Sequence, residues 1–188
     1  AQDIVTLALA VPVFVIGLGW YRRGSIRGGL FYAAVLGFIL YAYASMSFMA
    51  AFNPLFLVYV AIVSASLFSL ILVVNSLAGV APEHTEDDRL PRRFAGIYMI
   101  TSGIITLFVW LPPLLTAIAA GRPPEHLDHY TTMVTDALDL SVITPGTIVS
   151  GVLILRRRTV GYIIAMPFLG TIMMLVFTIS GGTIRQLA

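Results

Sequence analysis

Two carboxylates three residues apart, Asp136 and Asp139, are the side chains of this sequence best placed to do chemistry. Residues at this spacing lie on one face of a helix, and the segment that they open stays apolar as far as Leu155. Two acids on one face can bind a small cation or an amine, or take up and release a proton. An acidic first turn, which the helix dipole favours, is the alternative interpretation.

The depth of these acids in a membrane determines how strongly they indicate a functional site. Sixteen residues separate Asp139 from Leu155, which is roughly 24 Å at ~1.5 Å per residue. We therefore expect Asp139 near the outer edge of the hydrocarbon and Asp136 among the headgroups, where a charge costs less than at the bilayer centre. The hypothesis is a ligand site close to the outer face.

Hydroxyl-bearing residues of two other apolar segments are candidates to complete this site. They are Tyr41, Tyr59, Ser66 and Ser69. Hydroxyls placed among aromatic and small side chains suit a pocket for a small polar or amphipathic ligand. Helix packing and the aromatic belts at membrane interfaces explain the same residues equally well.

The loop before the acidic helix, "EHLDHY", contains His126, Asp128 and His129. Imidazole and carboxylate groups are ligands for zinc and other divalent ions. No second motif of matching spacing supports a metal site, and a loop of this composition is commonly just solvated. The sequence therefore predicts no cofactor, with a divalent metal at these residues as the alternative.

Several kinds of chemistry are excluded by the residue types. The chain has no Cys and no Lys, which removes thiol redox chemistry, thiolate metal sites and Schiff bases. The three histidines all lie in polar loops, so a bis-histidine haem inside the membrane cannot form. No metalloprotease, nucleophile-elbow or P-loop pattern occurs, and the sequence favours a protein that is not an enzyme.

The elements that position these residues are predicted membrane spans. Of 188 residues, 59% are hydrophobic and 11% charged, whereas soluble domains carry about 25% charged residues. A span needs ~20 mostly apolar residues, and a break is expected where Pro112-Pro113 interrupts the fourth. The prediction is an all-α bundle of six transmembrane helices in a single domain, residues 1–188, with helices at about 4–21, 28–52, 54–80, 94–120, 133–155 and 160–180.

The arginines predict the orientation of these helices. If the N-terminus lies outside, nine of the eleven arginines are cytoplasmic, and only Arg122 and Arg185 lie outside. This bias follows the positive-inside rule and places both termini outside a bacterial inner membrane. It also explains the net charge of +2 without nucleic acid as a partner. No basic segment precedes the first apolar run, so we expect no cleaved signal peptide.

An offset of 133 residues aligns the first predicted pair of helices with the last. Such an alignment predicts a parallel repeat of helices 1–2 and 5–6, related by an axis along the membrane normal. Independent recurrence of positive-inside ends and proline kinks is the alternative. The matched pairs are Asp3 with Asp136, Pro12 with Pro145, Arg23 with Arg156, Gly28 with Gly161 and Gly37 with Gly170.

Three functions are consistent with these features. The leading hypothesis is a small inner-membrane binding or transport protein for a small cationic or amphipathic ligand, or for lipid. The alternative is an accessory or scaffold subunit that packs against partner subunits of a larger membrane complex, or against its own copies. The third is a metal-dependent membrane enzyme built on the loop histidines.

Overall fold

The computed structural model describes residues 10–81, 91–127 and 130–187, with side chains as far as residue 177. This part of the chain is predominantly helical and contains no strands. Five of its helices are long and apolar enough to cross a membrane, and a sixth is shorter. The expected multi-pass helical membrane bundle is thereby confirmed.

Six helices follow one another through the described residues, and a short 3-10 helix, Glu125–Leu127, lies between the fourth and the fifth. The shorter apolar helix is α1, of which the part from Val11 onward is described. The six are α1 Val11–Arg22, α2 Ile26–Met49, α3 Phe56–Val80, α4 Arg92–Ala119, α5 Val134–Leu155 and α6 Thr159–Leu187.

Local hydrogen bonds explain where a helix ends at a different residue from the predicted one. Helix α2 stops at Met49, before the predicted residue 52, because the next residues form a turn around Asn53. The Asn53 side chain accepts a hydrogen bond from the Leu55 amide at 2.9 Å and donates one to the Ala51 carbonyl at 3.0 Å. Asparagine favours such turns because its amide substitutes for backbone partners.

Helix α4 is continuous through Pro112-Pro113, where the sequence predicts a break. Two prolines remove two amide donors, but in an apolar environment every remaining backbone group gains from staying in the helix. The Thr116 hydroxyl donates to the Pro112 carbonyl at 2.9 Å. The consequence is that the C-terminal part of α4 continues past Trp110 toward the N-terminal turns of the helix that carries Asp136 and Asp139.

The chain divides into two compact units, which we describe separately. The first contains residues 1–44, 57–82 and 166–188, and the second contains residues 45–56 and 83–165. The core of the first unit joins α1, α2 and α6. Its buried members are Ala10, Val35, Phe38, Ala42 and Met174.

Within the first unit, α2 and α6 cross with their backbones in contact. A Cβ added at Gly37 would lie 2.5 Å from the Pro167 carbonyl oxygen, and one added at Gly170 would lie 2.2 Å from that of Ala34. No side chain fits at either position. Glycine at these two sites is what allows the crossing.

Within the second unit, α4 packs against α5 through small residues. A Cβ added at Gly151 would lie 2.7 Å from the Gly96 carbonyl oxygen, and one at Gly103 would lie 2.5 Å from the Thr147 hydroxyl. The close approach lets the two backbones contact along about two turns, as is common in membrane helices. This contact fixes α4 beside the acids of α5.

Candidate functional site

Asp136 is the buried charged residue of the second unit, with 3% of its surface exposed. It lies in the first turn of α5 and lines a partly open cavity of about 330 Å³. Leu114 of α4, Leu127 of the connecting segment and Leu140 of α5 are among its apolar walls. Asp136 is therefore sheltered by protein, and its expected depth among the headgroups stays a prediction.

No basic side chain is recorded as a partner of Asp136 within the part of the chain that the structure describes. Its recorded hydrogen bond comes from the neighbouring Thr135 hydroxyl, at 3.2 Å. The Arg122–Glu125 ion pair, at 3.9 Å, lies on the exposed surface. A carboxylate sheltered from water without an opposite charge favours any cation that can enter the cavity.

Asp139, the second predicted acid, is held by a residue of the neighbouring helix. The indole Nε1–H of Trp110 donates to Asp139 Oδ2 at 2.8 Å. Hydrogen bonds to an ionised acceptor are stronger than neutral ones. Trp110 thus positions the carboxylate and ties α4 to α5 at this level.

Trp110 is a site residue that the sequence interpretation missed, although depth counting could have found it. It lies eighteen residues from the start of α4, and Asp139 lies sixteen from the end of α5. At ~1.5 Å per residue these are ~27 Å and ~24 Å from the ends of the two helices nearest the arginine clusters. Two polar groups at one depth on neighbouring antiparallel helices are candidates for a hydrogen bond.

The backbone of α5 departs from a regular α-helix directly at Asp139. Residues Asp139–Ile143 are π-helical, and the Thr144 amide donates to the Asp139 carbonyl, five residues back. Pro145 follows at the start of the next α-helical segment, Thr144–Leu155. Single π-helical turns are frequent at functional sites because they redirect side chains and release a carbonyl.

The four predicted hydroxyl residues lie in the first unit, whereas the two acids lie in the second. Ser66 is buried, and its hydroxyl donates to the Ile62 and Val63 carbonyls of its own helix at 2.7 and 3.1 Å. The remaining three, Tyr41, Tyr59 and Ser69, are half-buried. Their part in a ligand site stays a prediction.

The predicted metal site falls mainly outside the described residues, which do not include Asp128 and His129. His126 is exposed, in the 3-10 helix. In the part of the chain that the structure describes, no three His, Cys, Asp or Glu residues cluster as metal ligands would. Metal binding at this loop stays a prediction.

Comparison with known proteins adds no functional information. The sequence matches no protein-family profile, no curated protein and no solved structure. Function must therefore be argued from the cavity, its carboxylates and the helices that hold them.

Proposed function

We propose that this protein is a small inner-membrane binding or transport protein that takes a small cationic or amphipathic ligand into the cavity beside Asp136. The observation that carries the proposal is a carboxylate with 3% of its surface exposed, lining a largely apolar cavity, with no basic partner among the described residues. A ligand cation would supply the missing charge.

The cavity's composition favours an amphipathic amine over a bare ion as the ligand. Leucine side chains from three segments face the space, and burying apolar groups of the ligand against them is favourable. The Thr131 and Thr132 residues also line it and offer hydroxyls to an ammonium group. Asp139, held by Trp110, adds negative charge about one turn further along α5.

For the orientation, we propose that α1 also crosses the membrane, so that six spans place the N-terminus outside. Support comes from the arginines, nine of which then lie on the inner side, as the positive-inside rule requires. In this orientation the cavity opens toward the outer face. The C-terminus lies outside as well.

We further infer that α1–α2 and α5–α6 are copies of one helical hairpin. The offset of 133 residues carries Val11–Arg22 onto Thr144–Leu155, and the first residue of α2 onto the first residue of α6. The turns also agree: Gly24 and Arg157, at equivalent positions, both have positive φ, +80° and +62°. Each donates its amide three residues back, Gly24 to Tyr21 at 2.9 Å and Arg157 to Ile154 at 3.0 Å.

The crossing of α2 and α6 supports the same inference. Gly37 contacts Pro167 while Gly170 contacts Ala34, and the offset of 133 converts each contact into the other. Reciprocal contacts of this kind arise where two copies meet about a two-fold axis. These reciprocal contacts favour a repeat over independent recurrence of similar hairpins.

The binding proposal is tested with a matched pair of ligands, hexyltrimethylammonium and hexyl sulfate, below their micellar concentrations. The purified protein in nanodiscs is unfolded by heat with and without each ligand. A ligand that binds the folded state raises the unfolding temperature. We expect the cation to do so, the anion not to, and Asp136→Asn to remove the response.

Glu125→Gln is the matched control, because Glu125 is an exposed acid paired with Arg122. It should leave the response to the cation unchanged. A wild-type protein that responds equally to both ligands, or an Asp136→Asn variant with an undiminished response, contradicts the proposal.

An accessory subunit is the second candidate, and the uncovered surface of α3 favours it. Only 11% of the membrane window of α3 is buried, against 61% for α2. Either lipid or partner helices cover the rest. Native mass spectrometry of the protein released from its own membrane would show a stoichiometric partner subunit if this candidate is correct.

A further inference from the structure

The π-helical turn of α5 leaves a backbone carbonyl without its usual donor. In a regular helix the Thr144 amide would bond to the Leu140 carbonyl, but here it bonds to that of Asp139. The amide one residue further on is missing too, because Pro145 has none. The Leu140 carbonyl therefore receives neither of the two amides that could reach it along the helix, and Leu140 lines the cavity.

A buried hydroxyl without a partner lies at the same turn. Thr144 is 5% exposed, and its Oγ1 has no hydrogen-bond partner among the described residues. The next hydroxyls along α5 differ: Thr147 donates to the Ile143 carbonyl at 2.8 Å, and Ser150 to that of Thr147 at 2.9 Å. Membrane helices ordinarily satisfy hydroxyls in this way. The corresponding carbonyl for Thr144 is that of Leu140, and no hydrogen bond joins the two.

The equivalent turn of the first hairpin indicates that the backbone pattern does not require the hydroxyl. Ala10 is π-helical, and Pro12 follows at the place of Pro145. Between them, Val11 stands where α5 has Thr144, and it is 43% exposed. A π-helical residue before a proline thus occurs with an apolar side chain next to it in the first hairpin, so the local backbone does not require the Thr144 hydroxyl.

We propose that this turn of α5 binds a monovalent alkali cation, Na⁺, through the Leu140 carbonyl and the Thr144 hydroxyl, with Asp139 supplying the negative charge. Hard oxygen donors of this kind are what such ions prefer. Carbonyls released by irregular turns within membrane helices coordinate Na⁺ in transporters. The binding is inferred from the carbonyl without an amide donor and the buried hydroxyl without a partner at this one turn. Its use, to couple Na⁺ to uptake of the cationic ligand beside Asp136, rests on the proposed function.

The test compares NaCl with CsCl at equal ionic strength, since the larger ion fits a site shaped for Na⁺ poorly. The reporter is Trp110, isolated by Trp20→Phe, because Trp110 donates to Asp139 and senses charge at the turn. We expect Na⁺ to change Trp110 emission saturably and to raise the unfolding temperature. Cs⁺ should do neither at the same concentrations.

Thr144→Val is the decisive variant, because it keeps the shape of the side chain and removes only the oxygen. We expect its apparent Na⁺ affinity to fall by on the order of 10-fold or more, while its unfolding temperature in CsCl stays equal or rises. Thr144→Ser should retain Na⁺ binding. The control is Thr171→Val, the same change at a buried threonine whose hydroxyl donates to the Pro167 carbonyl at 2.8 Å.

Emission and unfolding temperature that are identical in the two salts, or an undiminished Na⁺ response in Thr144→Val, overturn the inference. Asp136→Asn separates it from the proposed function. That variant should lose the response to hexyltrimethylammonium and keep the response to Na⁺. If the protein responds to hexyltrimethylammonium but not to Na⁺, only the Na⁺ site is contradicted. If it responds to Na⁺ but not to hexyltrimethylammonium, only the cationic-ligand proposal is contradicted.

Discussion

The hairpin α1–α2 and the hairpin α5–α6 have the same backbone plan but different interiors. In each, a second-helix glycine lies against the end of the first helix: a Cβ at Gly28 would lie 2.7 Å from the Tyr21 amide, and one at Gly161 would lie 2.7 Å from that of Ile154. These positions are related by the offset of 133 residues. This agreement indicates that the glycines and the turn define the hairpin. The other side chains of the first helix can therefore differ between the two hairpins.

The first helices differ in polarity at equivalent positions. Helix α5 has Thr144, Thr147 and Ser150, all buried. Helix α1 has Val11, Phe14 and Gly17 in their places. Since the apolar version folds the same hairpin, the turn does not require these hydroxyls.

The different surroundings of α5 and α1 explain why buried hydroxyls are tolerated in α5. Helix α4 packs on α5 and shelters its hydroxyls, so that Thr147 and Ser150 are 0% exposed. In the first unit Val15 of α1 is 61% exposed, and an apolar side chain suits contact with lipid. Polar groups within a membrane are stable where protein rather than lipid surrounds them.

The largest expected effect comes from the paired glycines at the crossing of α2 and α6. Gly37→Ala and Gly170→Ala each place a methyl group against backbone, at 2.5 and 2.2 Å. We expect each to lower the free energy of unfolding by about 3 kcal/mol, at the upper end for overpacking. Denaturant unfolding in mild detergent measures it.

Gly79→Ala is the control for this pair, because a Cβ at Gly79 meets nothing within 4 Å. It should be neutral or slightly stabilising, since alanine is the better helix former. If one glycine of the pair tolerates alanine and the other does not, the proposed two-fold relation between the hairpins is contradicted at its central contact.

The sequence predicted the shared parts of the hairpins better than the parts that differ. The helical, membrane-like spans follow from composition and hydropathy, which act locally. The cavity and the Trp110–Asp139 hydrogen bond do not, because they depend on how α4 packs against α5 through Gly96 and Gly103. The π-helical turn was also missed, since proline in a sequence predicts a kink but not a changed hydrogen-bond register.

A second prediction concerns the contact of the second hairpin's carboxylate. The sequence has Thr6 at the position equivalent to Asp139, so the carboxylate that accepts from Trp110 is not repeated in the first hairpin. Trp110→Phe removes the donor and should lower the free energy of unfolding by about 2 kcal/mol, as for hydrogen bonds to charged groups. Thermal or urea unfolding in nanodiscs measures the change.

The loss should depend on Asp139, which a double-mutant cycle with Asp139→Asn examines. Trp20→Phe is the matched control, because Trp20 contacts Phe31 edge-on at 6.5 Å and is 47% exposed. A Trp110→Phe effect of the same size with and without Asp139 would mean that the indole acts only through packing.

The smallest expected effect tests the turn of each hairpin. Arg157 holds a φ of +62° where the first hairpin has Gly24 at +80°, and a side chain in this left-handed region costs about 1 kcal/mol relative to glycine. Arg157→Gly should therefore raise the free energy of unfolding by about that amount, and Gly24→Ala should lower it similarly. Arg156→Gly, at a neighbouring residue with φ of −79°, controls for the lost charge and should stabilise nothing. Equal and opposite shifts at positions 24 and 157 would mean that the two turns share one backbone geometry in the membrane, whereas shifts of the same sign would mean that they do not.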